Sequence, residues 1–168
     1  MRTDFRRLNG HNDRYFERRP EKLVLEGFRY WTNGYETGSV TPWELAWNLY
    51  ALELGAPVGR QLLAELAYFV RVARQCADCP LRTFPYGAHH LCRDECIALG
   101  LVAGFQHDEK EAVKACLEAL TCRLRSGDVE DAASGFAGSL ADAGQVLLPI
   151  PAPVIEDVLT RNRRGTIH

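Results

Sequence analysis

Residues 76–96 have the sequence CADCPLRTFPYGAHHLCRDEC, which holds four of the six cysteines of the 168-residue chain. The cysteines form two pairs: Cys76 and Cys79 are spaced C-x2-C, and Cys92 and Cys96 are spaced C-x3-C. Two such pairs on either side of a short loop are typical of a zinc ion held by four sulfur atoms. We therefore expect these four cysteines to be the ligands of a structural zinc site.

Other interpretations of this stretch stay open on the sequence alone. An iron–sulfur cluster also takes cysteine ligands, and a proline often follows one of them, as Pro80 follows Cys79. His89 and His90 are candidates to replace a cysteine ligand or to orient one. The same cysteines also suit buried core thiols, redox-sensing thiols or disulfides.

Charged residues surround the proposed site. Arg74, Arg82 and Arg93 each lie within a few residues of a cysteine and are expected to offset the negative charge of four thiolates. Asp94 and Glu95 follow Cys92 at the predicted start of a helix. Because the start of a helix carries partial positive charge, we expect the pKa of the Cys92 thiol to be lowered there.

The spacing of apolar residues predicts an all-α protein, a single-domain bundle of five or six helices. The cysteine-rich metal knuckle lies between the third and fourth of them. Thr41, with Pro42 after it and Glu44 three residues on, predicts a capping box at the start of the second helix. That helix is apolar on most sides, so we expect it in the centre of the bundle. The expected ranges are 20–34, 42–54, 57–75, 92–106 and 109–126, with a weaker helix at 128–142 and a short one at 155–161 after an extended, proline-broken segment at 146–154.

Three regions are predicted along the chain. Residues 1–19 are a basic arm, expected to be mobile, in which Arg6, Arg7, Arg18 and Arg19 are candidates to contact phosphate or a partner. Residues 20–160 form the helical domain, with the knuckle at 76–96. Residues 161–168 are a basic tail.

Composition narrows the class of protein. The chain is 46% hydrophobic and 25% charged, which is ordinary for a soluble globular domain, and its formal net charge of −2 does not favour nucleic-acid binding. It has no apolar run long enough to span a membrane, and its N-terminus lacks the apolar core of a secretory signal. We expect a cytoplasmic protein, with Cys116 and Cys122 as core residues.

These observations predict a small metal-binding protein that acts as a macromolecular interaction or regulatory module, with a protein partner. Four sulfur ligands leave no open position on zinc, which argues against an enzyme. The first alternative is an iron–sulfur protein for redox sensing or electron transfer. The second is nucleic-acid binding through the basic arm. The sequence does not indicate the identity of the partner or the oligomeric state.

Overall fold

The computed structural model describes residues 15–122 and 124–164. Within these residues the protein is all-α, which confirms the predicted fold class. The helices are α1 (Arg19–Thr37), α2 (Thr41–Leu54), α3 (Ala56–Cys76), α4 (Arg93–Gln106), α5 (Lys110–Leu120), α6 (Ser126–Asp142) and α7 (Ala152–Arg164). Residues 15–17 form a further helical segment. The described part of the chain thus holds more than the five or six helices that were predicted.

Helix α7 is longer than the short helix expected at 155–161. We expected residues 146–154 to be extended because prolines interrupt them, but α7 begins at Ala152. Pro151 accepts a hydrogen bond from Val154 N–H at 3.0 Å, and Pro153 lies in the first turn. Proline is tolerated there because the first N–H groups of a helix have no partner within the helix.

Helix α2 starts differently from the prediction. Thr41 is its first helical residue, and its N-cap is Val40, with no side-chain cap bond. The Ser39 hydroxyl accepts a hydrogen bond from Thr41 N–H at 3.2 Å, which places the polar side chain two residues earlier than expected. The capping box predicted at Thr41 and Glu44 is therefore wrong.

The centre of the bundle is α4, and the prediction that the second helix lies there is also wrong. Helix α4 packs against α1, α5, α6 and α7, and every residue from 97 to 104 is buried. Helix α2 leaves Leu52 83% exposed. Small residues let α4 take this position: a Cβ on Gly100 would lie 2.5 Å from Ile155 Cδ1 and 3.1 Å from Cys116 Sγ. Neighbouring helices therefore approach α4 closely.

Aromatic packing fixes the positions of α1, α3 and α6 relative to one another. The rings of Phe28 and Phe69 are 6.4 Å apart, and those of Phe69 and Phe136 are 6.3 Å apart, which joins α1, α3 and α6. The end of α3 and the start of α4 both lie beside the end of α5, because Cys76 accepts a hydrogen bond from Cys122 N–H at 3.1 Å and Arg93 donates to the Ala119 carbonyl at 3.1 Å. The middle of α1 packs beneath the segment between α3 and α4, as its contacts below show.

The ends of the helical body differ from the predicted boundaries. Residues 15–17, assigned to the arm, are helical, and residues 161–164, assigned to the tail, belong to α7. Residues 1–14 and 165–168 lie outside the described residues. None of the helices that the structure describes is both long and apolar enough to cross a membrane.

Candidate functional site

The segment from Ala77 to Cys92, here called the cysteine loop, connects α3 to α4 without regular secondary structure. A turn lies at its middle, where Ala88 N–H donates a hydrogen bond to the Pro85 carbonyl at 3.2 Å. Gly87 occupies the third position of this turn with φ of 75°, a backbone conformation that residues with a Cβ atom rarely adopt. Tyr86, the second residue of the turn, is more than half exposed.

One buried arginine holds this loop from beneath. Arg29 of α1 is 1% exposed, and its guanidinium bonds the carboxylate of Glu95 through two contacts, Nε to Oε1 at 2.8 Å and Nη2 to Oε2 at 3.2 Å. It also donates to the carbonyl oxygens of Ala88 at 2.9 Å and His90 at 2.7 Å, and to Glu26 Oε1 at 3.0 Å. A guanidinium has five N–H donors, and these five bonds use all of them.

The electrostatics of Arg29 follow from these partners. Burial alone would lower the pKa of the guanidinium, because a low dielectric disfavours charge. The hydrogen bonds and negative charge of Glu95, with those of Glu26, outweigh burial and raise the pKa of Arg29 above its usual value. Arg29 therefore stays charged and keeps all of its donors.

Carboxylates bind the loop through its amides. Glu95 accepts hydrogen bonds from Phe84 N–H at 2.7 Å and from Cys92 N–H at 3.0 Å. Glu26 accepts one from Gly87 N–H at 3.1 Å, and Asp94 accepts one from Arg82 N–H at 2.8 Å. The backbone of the cysteine loop is thus fixed at both its donors and its acceptors, while its aromatic and imidazole side chains are exposed.

Cys92 begins α4 as its N-cap. Its sulfur and the Glu95 side chain form a reciprocal capping box, and Cys92 Sγ also donates to the Arg82 carbonyl at 3.2 Å. Burial raises the pKa of the Cys92 thiol to about 11, and the charges of Glu95 and Asp94 add to that rise. Amide hydrogen bonds at the helix start oppose it but are outweighed. The expectation of a lowered Cys92 pKa is therefore wrong.

Five of the six cysteines fall into two groups, one of Cys92, Cys96 and Cys116 and the other of Cys76 and Cys122. Burial raises the pKa of Cys96 to about 12, with the Cys92 thiol the next contributor, and it raises that of Cys116 to about 12, with Cys96 contributing. Cys76 lies beside Cys122 instead: Cys122 N–H donates to the Cys76 carbonyl at 3.1 Å. Burial raises the pKa of Cys76 as well, and the Cys122 thiol adds a smaller effect.

The structure therefore does not bring the four predicted metal ligands together. Cys79 is exposed in the loop, whereas Cys76 is buried against Cys122. Among residues 15–122 and 124–164, no three side chains of His, Cys, Asp or Glu are grouped so that they could hold a metal ion. The assignment of Cys76, Cys79, Cys92 and Cys96 as ligands stays a prediction that rests on their spacing.

The other predicted site residues lie around the loop with separate contacts. His89 and His90 are both exposed, and the His89 ring packs edge-on against Phe16, with 5.9 Å between ring centroids. Arg93 pairs with Asp94 at 2.8 Å, and the Arg74 guanidinium lies 4.2 Å from the centre of the Tyr35 ring. Arg82 contacts the site through its backbone, as described above.

Four arginines were predicted to contact phosphate or a partner, and the structure describes two of them. Arg6 and Arg7 lie outside those residues. Arg18 pairs with Glu21 at 3.2 Å, and Arg19 pairs with Glu53 at 2.9 Å. Nucleic-acid binding through the arm stays a prediction without a contact that favours it.

Arg29 and Glu26 were not predicted from the sequence as site residues, and Glu95 was predicted only as a residue at the start of a helix. A signal for Glu95 was present, because a polar side chain and a glutamate three residues later form a capping pair even when the cap is cysteine. For Arg29 the sequence carried no comparable sign. No known protein family, curated protein or solved structure matches the chain.

Proposed function

We propose that the protein is a small cytoplasmic interaction or regulatory module that presents the cysteine loop to a protein partner. One observation carries this proposal: the loop backbone is held from inside by Arg29 and three carboxylates, while the aromatic and imidazole side chains of the loop are exposed. A surface that is ordered before binding loses less conformational entropy when a partner docks.

The chemistry of the exposed side chains supports a protein partner. Phe84 is 39% exposed and Tyr86 is 58% exposed, and His89 and His90 lie nearby in the chain. Aromatic residues are enriched in the buried centres of protein interfaces, where they contribute much of the binding energy. The Tyr86 ring packs on Tyr30 with 5.2 Å between centroids, so its orientation is supported from α1.

We further propose that the loop binds a structural zinc ion through Cys76, Cys79, Cys92 and Cys96. The sequence spacing carries this part of the proposal, because these sulfurs are not grouped in the described structure. Binding would require the end of α3 to bring Cys76 and Cys79 towards Cys92 and Cys96. Zinc would then lock the loop, and four sulfur ligands would leave no position for a substrate. An iron–sulfur cluster on the same cysteines is the alternative, and it would make the protein coloured.

The interaction proposal is tested by photo-crosslinking in living cells. A photoreactive phenylalanine analogue replaces Tyr86 in one strain and Tyr68 in another. Tyr68 is an exposed tyrosine on α3, 46% exposed, and is the matched control. We expect a discrete crosslinked protein from position 86 that is absent from position 68. Identical crosslinks from both positions, or none from position 86, would overturn the proposal.

A further inference from the structure

A cavity of about 390 Å³ lies where the last turns of α3 meet the start of α6. Cys76 is on its wall, together with the side chains of Arg71 and Arg125. Arg125 also reaches across to α3, where its guanidinium donates to the Gln75 carbonyl at 3.4 Å. The buried Cys76 residue therefore borders this cavity, and the charged residues beside it are Arg71, Arg125 and Asp128, two positive charges against one negative.

Cys122 lies next to Cys76 across the junction of α3 and α5. The hydrogen bond from Cys122 N–H to the Cys76 carbonyl is 3.1 Å long. This single bond brings the main chains of the two residues into direct contact; in antiparallel strands, residues joined by two such bonds have Cα atoms about 5.5 Å apart. A disulfide bond needs Cα atoms about 4.4–6.8 Å apart, a range that two residues in direct main-chain contact can meet.

The position of each cysteine favours a covalent link. Cys76 is the last residue of α3, and Cys122 lies two residues beyond the end of α5 at Leu120. Neither residue is in the interior of a helix, so the backbone at each position can adjust more readily than within a helix. Cys122 is half-buried, so it has the more accessible thiol of the pair.

We propose that Cys76 and Cys122 form a modification site, a dithiol pair that a small anionic disulfide such as oxidised glutathione converts into a disulfide bond. The Cys122 thiolate attacks one sulfur of oxidised glutathione, forming a mixed disulfide and releasing one glutathione thiol. The Cys76 thiolate then attacks the Cys122 sulfur, breaking the mixed disulfide and releasing the second glutathione. The two cysteines lose two protons and two electrons, and one oxidised glutathione gains them.

This bond would have a consequence for the cysteine loop. It would close a covalent ring over residues 76–122, which contains the whole loop and α4. If the loop binds zinc as proposed, oxidation would also leave Cys76 unable to bind the ion. This one point rests on the zinc proposal. The loop would then be regulated by the redox state of its surroundings.

The experiment uses the full chain, purified in reductant, treated with a chelator and then exposed to oxidised glutathione. Free thiols are blocked with N-ethylmaleimide, and the unreduced protein is digested with trypsin, Asp-N and Glu-C together. These cuts separate Cys76 from Cys79 and Cys116 from Cys122. We expect mass spectrometry to show peptide 75–77 joined to peptide 119–123.

Two variants complete the test. Cys122→Ser is expected to lose the linked peptides, and Cys116→Ser, which changes the other cysteine of the same segment, is expected to keep them. A main link between Cys76 and Cys79, or mixed disulfides with glutathione and no internal link, would overturn the proposal. Because the assay is run without metal, its failure would leave the zinc proposal standing, and metal analysis would test that separately.

Discussion

The guanidinium of Arg29 and the carboxylate of Glu95 form a two-point ion pair between α1 and the first turn of α4, and both side chains are inaccessible to solvent. Each partner also binds the cysteine loop: Arg29 through two carbonyls and Glu95 through two amides. The pair therefore couples the packing of two helices to the conformation of the proposed binding surface.

Replacing Arg29 with Met is expected to lower the free energy of unfolding by about 3–5 kcal/mol, because Glu95 would remain buried without its partner. Arg93→Met is the matched control. Its ion pair with Asp94 and its hydrogen bond to the Ala119 carbonyl are both only partly buried, so we expect a loss of at most about 2 kcal/mol. Urea denaturation measures both. Equal losses in the two variants would contradict the role given to Arg29.

Hydrogen exchange tests the contacts between carboxylates and the loop. In Glu95→Gln we expect the amides of Phe84 and Cys92 to exchange faster, because the acceptor loses its charge and its capacity to take both bonds. Gly87 N–H bonds Glu26 instead and is the internal control. NMR exchange rates follow all three amides. Acceleration at Gly87 equal to that at Phe84 would indicate general loosening of the loop.

A pair of glycine substitutions tests the packing of α1 on α2. A Cβ at Gly34 would lie 2.6 Å from Trp43 Cδ1, and the Trp43 ring is held by stacking on Trp31. Gly34→Ala is therefore expected to destabilise the protein by about 1–3 kcal/mol. Gly135 of α6 has open space around it, so Gly135→Ala should stabilise by about 0.5–1 kcal/mol. Thermal unfolding should show a lower melting temperature for Gly34→Ala and a higher one for Gly135→Ala. A change in the same direction for both variants would contradict this packing.

Alkaline pH is expected to destabilise the protein through its buried thiols. The pKa of Cys116 is raised from 9.0 to about 12 in the folded state, so the unfolded chain releases this proton first as pH rises. The stabilisation is complete below pH 9 and is lost as pH rises towards 12, at about 1.4 kcal/mol per pH unit. Cys116→Ala should show a shallower decline between pH 9 and 11 in denaturation experiments. Parallel declines in variant and wild type would contradict the shift.

Periodicity and helix punctuation predicted much of the secondary structure. The helix expected at 57–75 is observed at Ala56–Cys76, and that expected at 92–106 is observed at Arg93–Gln106. In these segments the apolar spacing and the residues at the helix ends agree with the packing. Local sequence signals were therefore sufficient to predict the bounds of these two helices.

The arrangement of those helices was not predictable in the same way. Helix α2 is richer in large apolar residues, yet α4 is central because Gly100 and its small neighbours admit other helices. The hydrophobicity of a helix indicates that its surface will be buried. The volume of its side chains decides whether other helices can pack against it on several sides. Arg29 was missed for a related reason, since its burial depends on Glu95, 66 residues away along the chain.

The four cysteines remain the part of the site for which spacing and described geometry point in different directions. Metal analysis and visible absorbance of protein purified without oxygen, beside a Cys79→Ser/Cys96→Ser variant, test the proposed zinc site most directly. We predict one colourless zinc ion per wild-type chain and its loss in the variant. Brown protein containing iron and sulfide would replace zinc with a cluster. Wild-type protein that carries no more metal than the variant would contradict the zinc proposal.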